Sequence, residues 1–200
     1  MITHLVGLSL GPTSSVESGV AVREINSGKL IYVDKLFSMN DVNLFFENYP
    51  SLKNSSICVS LPWDNTMLEG KWRVLSKPYQ MIHTLGNFPN KDNWMQRFST
   101  RGCDLFNSLK EKGVDISRFE VYLTRQKLNL YSNYKERSSA DCKFLQGALK
   151  NEYGLEELPS NMMPVAQLEA IIGTLLAQEK IKNNTKKIFD YKGLEVINIK

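Results

Sequence analysis

Six residues, Ser56-Ile57-Cys58-Val59-Ser60-Leu61, constrain this chain more than any other stretch. Their apolar run is nearly continuous, as in a strand covered on both faces. They follow a segment with helical signals, so the strand is expected to lie parallel to an earlier one. The earlier strands are legible too. Leu5 to Leu10 and Gly19 to Ile25 are short, apolar and bounded by turn residues, and Lys29 to Phe37 alternates. Asn26-Ser27-Gly28 joins the last two tightly, so three antiparallel strands open the chain. Asn40 is placed to cap a helix over Asp41 to Tyr49, with Val42, Phe45 and Phe46 on its apolar face and Pro50 as its stop.

Beyond Leu61 the pattern fails from Pro62 to about Gln96, a segment with Trp63, Trp72, Trp94, Pro78 and Pro89 and no clear period. Loops of this length are usually functional or mobile. Arg97 to Lys112 recovers helical spacing and Gly113 closes it. Phe119 to Leu123 reads as a fifth strand. Ser138 to Tyr153 reads as a helix capped by Ser138 or Ser139 and ended by Gly154, and Pro164 opens another running to about Lys180. The tail, from about 187 to 200, reads as two short edge strands about Lys192-Gly193. With no repeat and no low-complexity linker, residues 1–200 are expected to form one domain, with the irregular insertion at about 62–96. The order β-β-β-α-β-α-β-α-α defines an α/β fold, a mixed sheet with helices on both faces.

Composition excludes several classes. Hydrophobic residues at 42% and charged residues at 23% are ordinary for globular proteins and argue against disorder. No apolar run is long enough to span a bilayer, and the first residues enter a strand pattern without a basic flank, so a cytoplasmic location and no membrane partner are expected. Cys58, Cys103 and Cys142 match no zinc or redox spacing and read as buried thiols. The net charge of +4, from 25 basic and 21 acidic residues, permits an anionic partner without demanding one. Lys180, Lys182, Lys186 and Lys187 carry much of the local excess and read as a solvated surface.

Four blocks in order resemble the RNase H-like superfamily, which includes RuvC-type resolvases and, in two-lobed form, actin-like ATPases and sugar kinases. The first is Gly7-Leu8-Ser9-Leu10-Gly11 continuing to Ser18-Gly19-Val20-Ala21-Val22, and the second is Ile57-Cys58-Val59-Ser60-Leu61-Pro62-Trp63. The third is Arg101-Gly102-Cys103-Asp104-Leu105 followed by Glu120-Val121-Tyr122-Leu123, and the last is the helix from Ala166 to Ala177. Within the superfamily the chain is most similar to a family of about this length whose members are read as nuclease-related. The resemblance implies a five-stranded mixed sheet, three antiparallel strands followed by parallel ones, with helices on both faces.

RNase H-like nucleases hold two divalent cations between carboxylates, one activating water and the other stabilising the leaving oxygen. At the positions matching those acids this chain carries Ser9, Ser60 and Glu169. Two of the three negative charges are therefore replaced by hydroxyls, which hold Mg²⁺ or Mn²⁺ poorly. Glu169 lies between Val165 and Ile172 on or beside the apolar stripe of its helix, where a carboxylate needs a partner. The expectation is a catalytically degenerate binding module for nucleic acid or for a protein partner in nucleic-acid processing, needing no cofactor. A homo-oligomer is compatible with it.

Two alternatives stand beside that expectation. One is a nuclease using Mg²⁺ or Mn²⁺ with Glu169 as metal ligand and Asp64 and Asp104 as replacement acids. The other is phosphate binding through Gly11 to Ser15, where Thr13, Ser14 and Ser15 supply hydroxyls, although Pro12 lacks an N–H. For nucleic acid, Lys71, Arg73, Arg97 and Arg101 flank or interleave with the tryptophans, a composition suited to phosphates and stacked bases.

Overall fold

The computed structural model describes residues 1–11, 16–49, 53–60, 105–135, 137–189 and 195–200. Strands β1 (His4–Ser9), β2 (Ser18–Glu24), β3 (Leu30–Leu36), β4 (Ser55–Ser60) and β5 (Asp115–Phe119) form one sheet in the order β3-β2-β1-β4-β5. β1 and β3 run antiparallel to β2, whereas β4 runs parallel to both β1 and β5. The mixed sheet expected from the order of the elements is present. The register that matters most is Ser9 opposite both Gly19 and Ser60, with Phe119 next beyond Ser60. The last residues of β1, β4 and β5 thus share one end of the sheet.

Alternation along each strand builds two cores. Val6, Leu8, Val20, Val22, Ile57 and Val59 pack with Val42 and Phe46 of helix α1 (Met39–Asn48), and with Leu105 and Leu109 of helix α2, described over 105–111. Leu5, Ala21, Cys58 and Phe119 pack on the opposite face. There they meet α4 (Ser139–Asn151) through Leu145 and Leu149, and α5 (Val165–Ile181) through Leu168, Ala170, Ile171, Ile172 and Leu175. Ser9 belongs, by the same alternation, to the α5 face.

α5 lies on β1 and β2 at backbone contact. A Cβ added at Gly7 would lie 1.7 Å from the Ala170 carbonyl oxygen, and one at Gly19 would lie 1.9 Å from that of Ala166. Only glycine at these positions leaves room for the helix backbone. On the helix side, Gly173 faces the Cα of Gly7. α5 is apolar nearly all round, as a helix buried between other elements must be.

Three local readings change. Residues 119–123 are not a strand: β5 ends at Phe119, and Val121 begins helix α3 (Val121–Lys127). The Glu120 carboxylate accepts from the Leu123 N–H at 2.9 Å, satisfying a donor of the first turn and converting a strand-like run into a helix start. α1 is capped by Ser38 rather than Asn40. The Ser38 hydroxyl accepts from Asp41 N and the Asp41 carboxylate accepts from Ser38 N, a reciprocal capping box. The tail strands β6 (Thr185–Phe189) and β7 (Glu195–Ile199) pair antiparallel in a two-stranded sheet of their own instead of widening the main one. Cys58 and Cys142 are buried thiols, and burial pushes the Cys58 thiol up to about 12; Cys103 lies outside the described residues. Among the described residues no helix is long and apolar enough to cross a membrane.

The seating of α5 makes a direct demand on Gly7. Gly7→Ala is expected to lower unfolding free energy by about 3 kcal/mol or more, because backbone on both sides must move to admit one methyl. Urea denaturation of the variant checks this, and an unchanged midpoint would contradict the seating.

Candidate functional site

Because α5 runs antiparallel to β1, with Ala166 at Gly19 and Ala170 at Gly7, residue 169 falls over the end of β1. There the Ser9 hydroxyl donates to Glu169 Oε2 at 2.7 Å. Both groups are buried, Glu169 being 7% exposed. The expectation that Glu169 is a buried acid needing a partner is met, and among the described residues Ser9 is one of two such partners.

The other partner is Arg137, which arrives from the segment joining α3 to α4. Its Nε lies 3.3 Å from Glu169 Oε1, and its Nη2 donates to Oε2 at 3.4 Å. The Arg137 side chain is 47% exposed, so the ion pair has one buried and one solvent-facing member. A buried carboxylate is costly unless its charge is compensated, and here a guanidinium supplies the compensation.

Arg137 is held by a polar network with Asp141 of α4 at its centre. Arg125 of α3 makes a bidentate pair with Asp141, at 3.0 Å from Nη1 to Oδ2 and 2.6 Å from Nη2 to Oδ1. Ser132 Oγ donates to Asp141 Oδ1 at 2.7 Å, and the backbone N–H of Arg137 donates to Oδ2 at 3.0 Å. Arg125 Nε also donates to the Leu130 carbonyl. Burial alone would raise the Asp141 carboxyl, but the hydrogen bonds from Arg125, Ser132 and the Arg137 backbone hold it below the ordinary aspartate range. Asn129 and Arg137, at the two ends of this segment, both adopt left-handed backbone, φ 56° and 60°. The network is what keeps Arg137 in a conformation that a non-glycine residue rarely adopts.

Together these contacts run from α3 through Asp141 and Arg137 to Glu169 and Ser9. Among the described residues the donor set at this end of the sheet is poor in anionic oxygen. It comprises one carboxylate already paired with a guanidinium and two serine positions, and among the described residues no group of three or more His, Cys, Asp or Glu side chains is arranged to hold a metal. The Arg137 guanidinium neutralises Glu169, at a position where the resemblance implies a metal ligand.

The other candidate residues fall as follows. Asp64, Asp104, Lys71, Arg73, Arg97, Arg101, Thr13, Ser14 and Ser15 lie outside the described residues. Gly11 N donates to Ser18 Oγ at 2.9 Å, so a hydroxyl at the base of the first hairpin has a structural role. Lys180, Lys182 and Lys187 are paired with Asp115, Glu179 and Glu195, in keeping with a solvated surface. Arg125, Asp141 and Arg137 had no signal in sequence periodicity. Only the need of a buried Glu169 for a partner pointed toward them.

No family model matches the chain, and no curated protein matches it. Its fold matches solved structures of RuvC from Thermus thermophilus. One, described as RuvC in complex with Holliday junction substrate, has a TM-score of 0.51 at 13% identity, with 90% of this chain and 96% of that chain covered. A second, described as the Thermus thermophilus RuvC structure, has a TM-score of 0.52 at 12% identity with the same coverage. The chain has the RNase H-like fold of the RuvC type.

The Asp141 network is testable by substitution and by pH. Asp141→Asn leaves the Arg125 charge buried without its anion and is expected to cost about 3–5 kcal/mol. Since the folded carboxyl lies below its unfolded value, its contribution is present above the ordinary aspartate value of about 3.9 and is lost as pH falls from there through the lower folded value. Denaturation followed from pH 7 to pH 2 checks both points: the native chain loses this contribution in acid, and Asp141→Asn lacks that part of the slope.

Proposed function

We propose that this RNase H-like chain is a catalytically degenerate protein that binds nucleic acid without cleaving it. The observation that carries the proposal is the Ser9–Glu169–Arg137 cluster. In a two-metal nuclease the acids converge to collect cations and so place a water for attack. Here Glu169 is already hydrogen-bonded to Ser9 and ion-paired with Arg137, and Ser60 stands in register beside Ser9. A dication arriving at Glu169 would have to displace or face a positive charge within hydrogen-bonding range, and among the described residues no cluster of further acids stands there to offset the repulsion.

Binding is supported by the fold and by charge. The RuvC structure that this chain resembles is described in complex with a Holliday junction substrate, and the net charge of +4 suits a polyanion. Metal-assisted cleavage through Glu169, with Asp64 or Asp104 in replacement, is the reading that this proposal opposes.

Calorimetric titration with Mg²⁺ and Mn²⁺, alongside binding and cleavage assays on single-stranded, duplex and branched nucleic acids, tests both halves. The expected outcome is no saturable metal binding and no cleavage, with nucleic-acid affinity that falls linearly in log–log form with salt. Metal-dependent cleavage that Glu169→Gln abolishes would overturn the inactive half. Failure to bind any nucleic acid would overturn the binding half in favour of a protein partner.

A further inference from the structure

We infer that the slot between β3 and the segment joining α4 to α5, residues 157–164, receives an extended apolar and basic segment of a protein partner, which adds to the sheet alongside β3. The inference goes beyond the nucleic-acid reading and does not depend on it. Among the described strands β3 is an edge, paired with β2 alone. An edge strand turns every second N–H and C=O toward whatever lies beside it. Glu24 N donates to Lys29 O across the turn, so Val22 and Val20, at even spacing from Glu24, also face β3, opposite Tyr32 and Asp34. Val33, between those two, therefore turns its N–H and C=O outward.

The slot lies along this edge. Its volume is about 380 Å³, with Leu30 and Val33 on the strand side and Leu158 and Met163 on the other. Pockets for small ligands typically run from about 300 to 1,000 Å³, so a short piece of chain fits and a folded domain does not. The far wall is held from behind. Gln146 of α4, 8% exposed, donates from Nε2 to the carbonyls of Pro159 at 2.6 Å and Asn161 at 2.9 Å, and its Oε1 accepts from Met163 N at 2.8 Å. Glu157 Oε1 accepts from Leu30 N at 2.6 Å, which ties the wall to the start of β3. With both sides already ordered, less entropy is lost on binding.

Charge and surface select the occupant. Ile31 and Met162 line the slot from its two sides and are 46% and 49% exposed. Glu157 is the only charged residue among the described residues that line it. A phosphate chain finds no cation there, so a nucleic acid is disfavoured. An extended peptide supplies what the lining lacks: backbone groups for Val33, an apolar side chain for Ile31 and Met162, and a Lys or Arg for Glu157.

A display library of random linear peptides of about 12 residues, panned on the native chain, supplies the probe. The recovered peptide is synthesised and titrated by fluorescence anisotropy. The expected peptides carry an apolar residue near Lys or Arg, and amide exchange at Val33 slows in the complex, as an added strand requires. Ile31→Ser with Met162→Ser is expected to weaken peptide binding by at least about tenfold while leaving oligonucleotide affinity unchanged. Glu157→Gln is expected to remove the preference for Lys or Arg. Thermal unfolding of each variant separates lost binding from lost folding, and Met162→Ser alone serves if the double variant is unstable. Recovery of no peptide, equal peptide affinity for the native chain and a folded serine variant, or unchanged exchange at Val33 would overturn the inference. So would self-association of the native chain that the serine variant abolishes, since a second copy would then be the occupant. None of these outcomes bears on nucleic-acid binding, which is measured separately.

Discussion

The close approach of α5 to β1 and β2 is the constraint from which the rest of the structure follows. Two strand glycines, Gly7 and Gly19, leave no side chain between the sheet and the helix backbone, and Gly173 answers from the helix. The helix is thereby fixed in rotation as well as in distance. A rotation of one residue, about 100°, would carry Glu169 away from Ser9 and bring a larger side chain against Gly7. The apolar contacts of Leu168, Ile171, Ile172 and Leu175 stabilise the packing, but they are too unspecific to set that angle.

Once α5 is seated, a carboxylate stands at the end of β1 whatever else the chain does. The remaining question is what neutralises it. In a metal-dependent nuclease the answer is a pair of dications shared among several acids. In this chain Ser9 donates a hydrogen bond, and Arg137 supplies a permanent charge on a segment locked by Arg125 and Asp141. A serine hydroxyl and a guanidinium beside Glu169 both lower the electrostatic demand for a metal there.

Much of this was legible in the sequence because it is written in local patterns. Apolar alternation located β1 to β4 within a residue or two, and Ser138, Gly154 and Pro164 bounded the last two helices. The run Phe119 to Leu123 misled because aromatic and β-branched residues carry the same strand signal at a helix start, and only the reach of the Glu120 carboxylate to Leu123 N decides between them. The site was half legible. Ser9, Ser60 and Glu169 could be singled out by their blocks, and the structure sets Ser9 in register with Ser60 and in hydrogen-bonding contact with Glu169. Arg137 could not be read, because it comes from a polar segment 32 residues before Glu169 and depends on a network with no periodic signature.

The central claim is that a guanidinium stands where a divalent cation would otherwise serve Glu169. Anomalous diffraction at the manganese edge, from crystals equilibrated with millimolar Mn²⁺ and a nucleic-acid strand, tests it most directly. The account predicts no manganese peak within coordination distance of Glu169, with Arg137 still paired to it. A manganese peak bound by Glu169 and a second carboxylate, with Arg137 displaced, would contradict it.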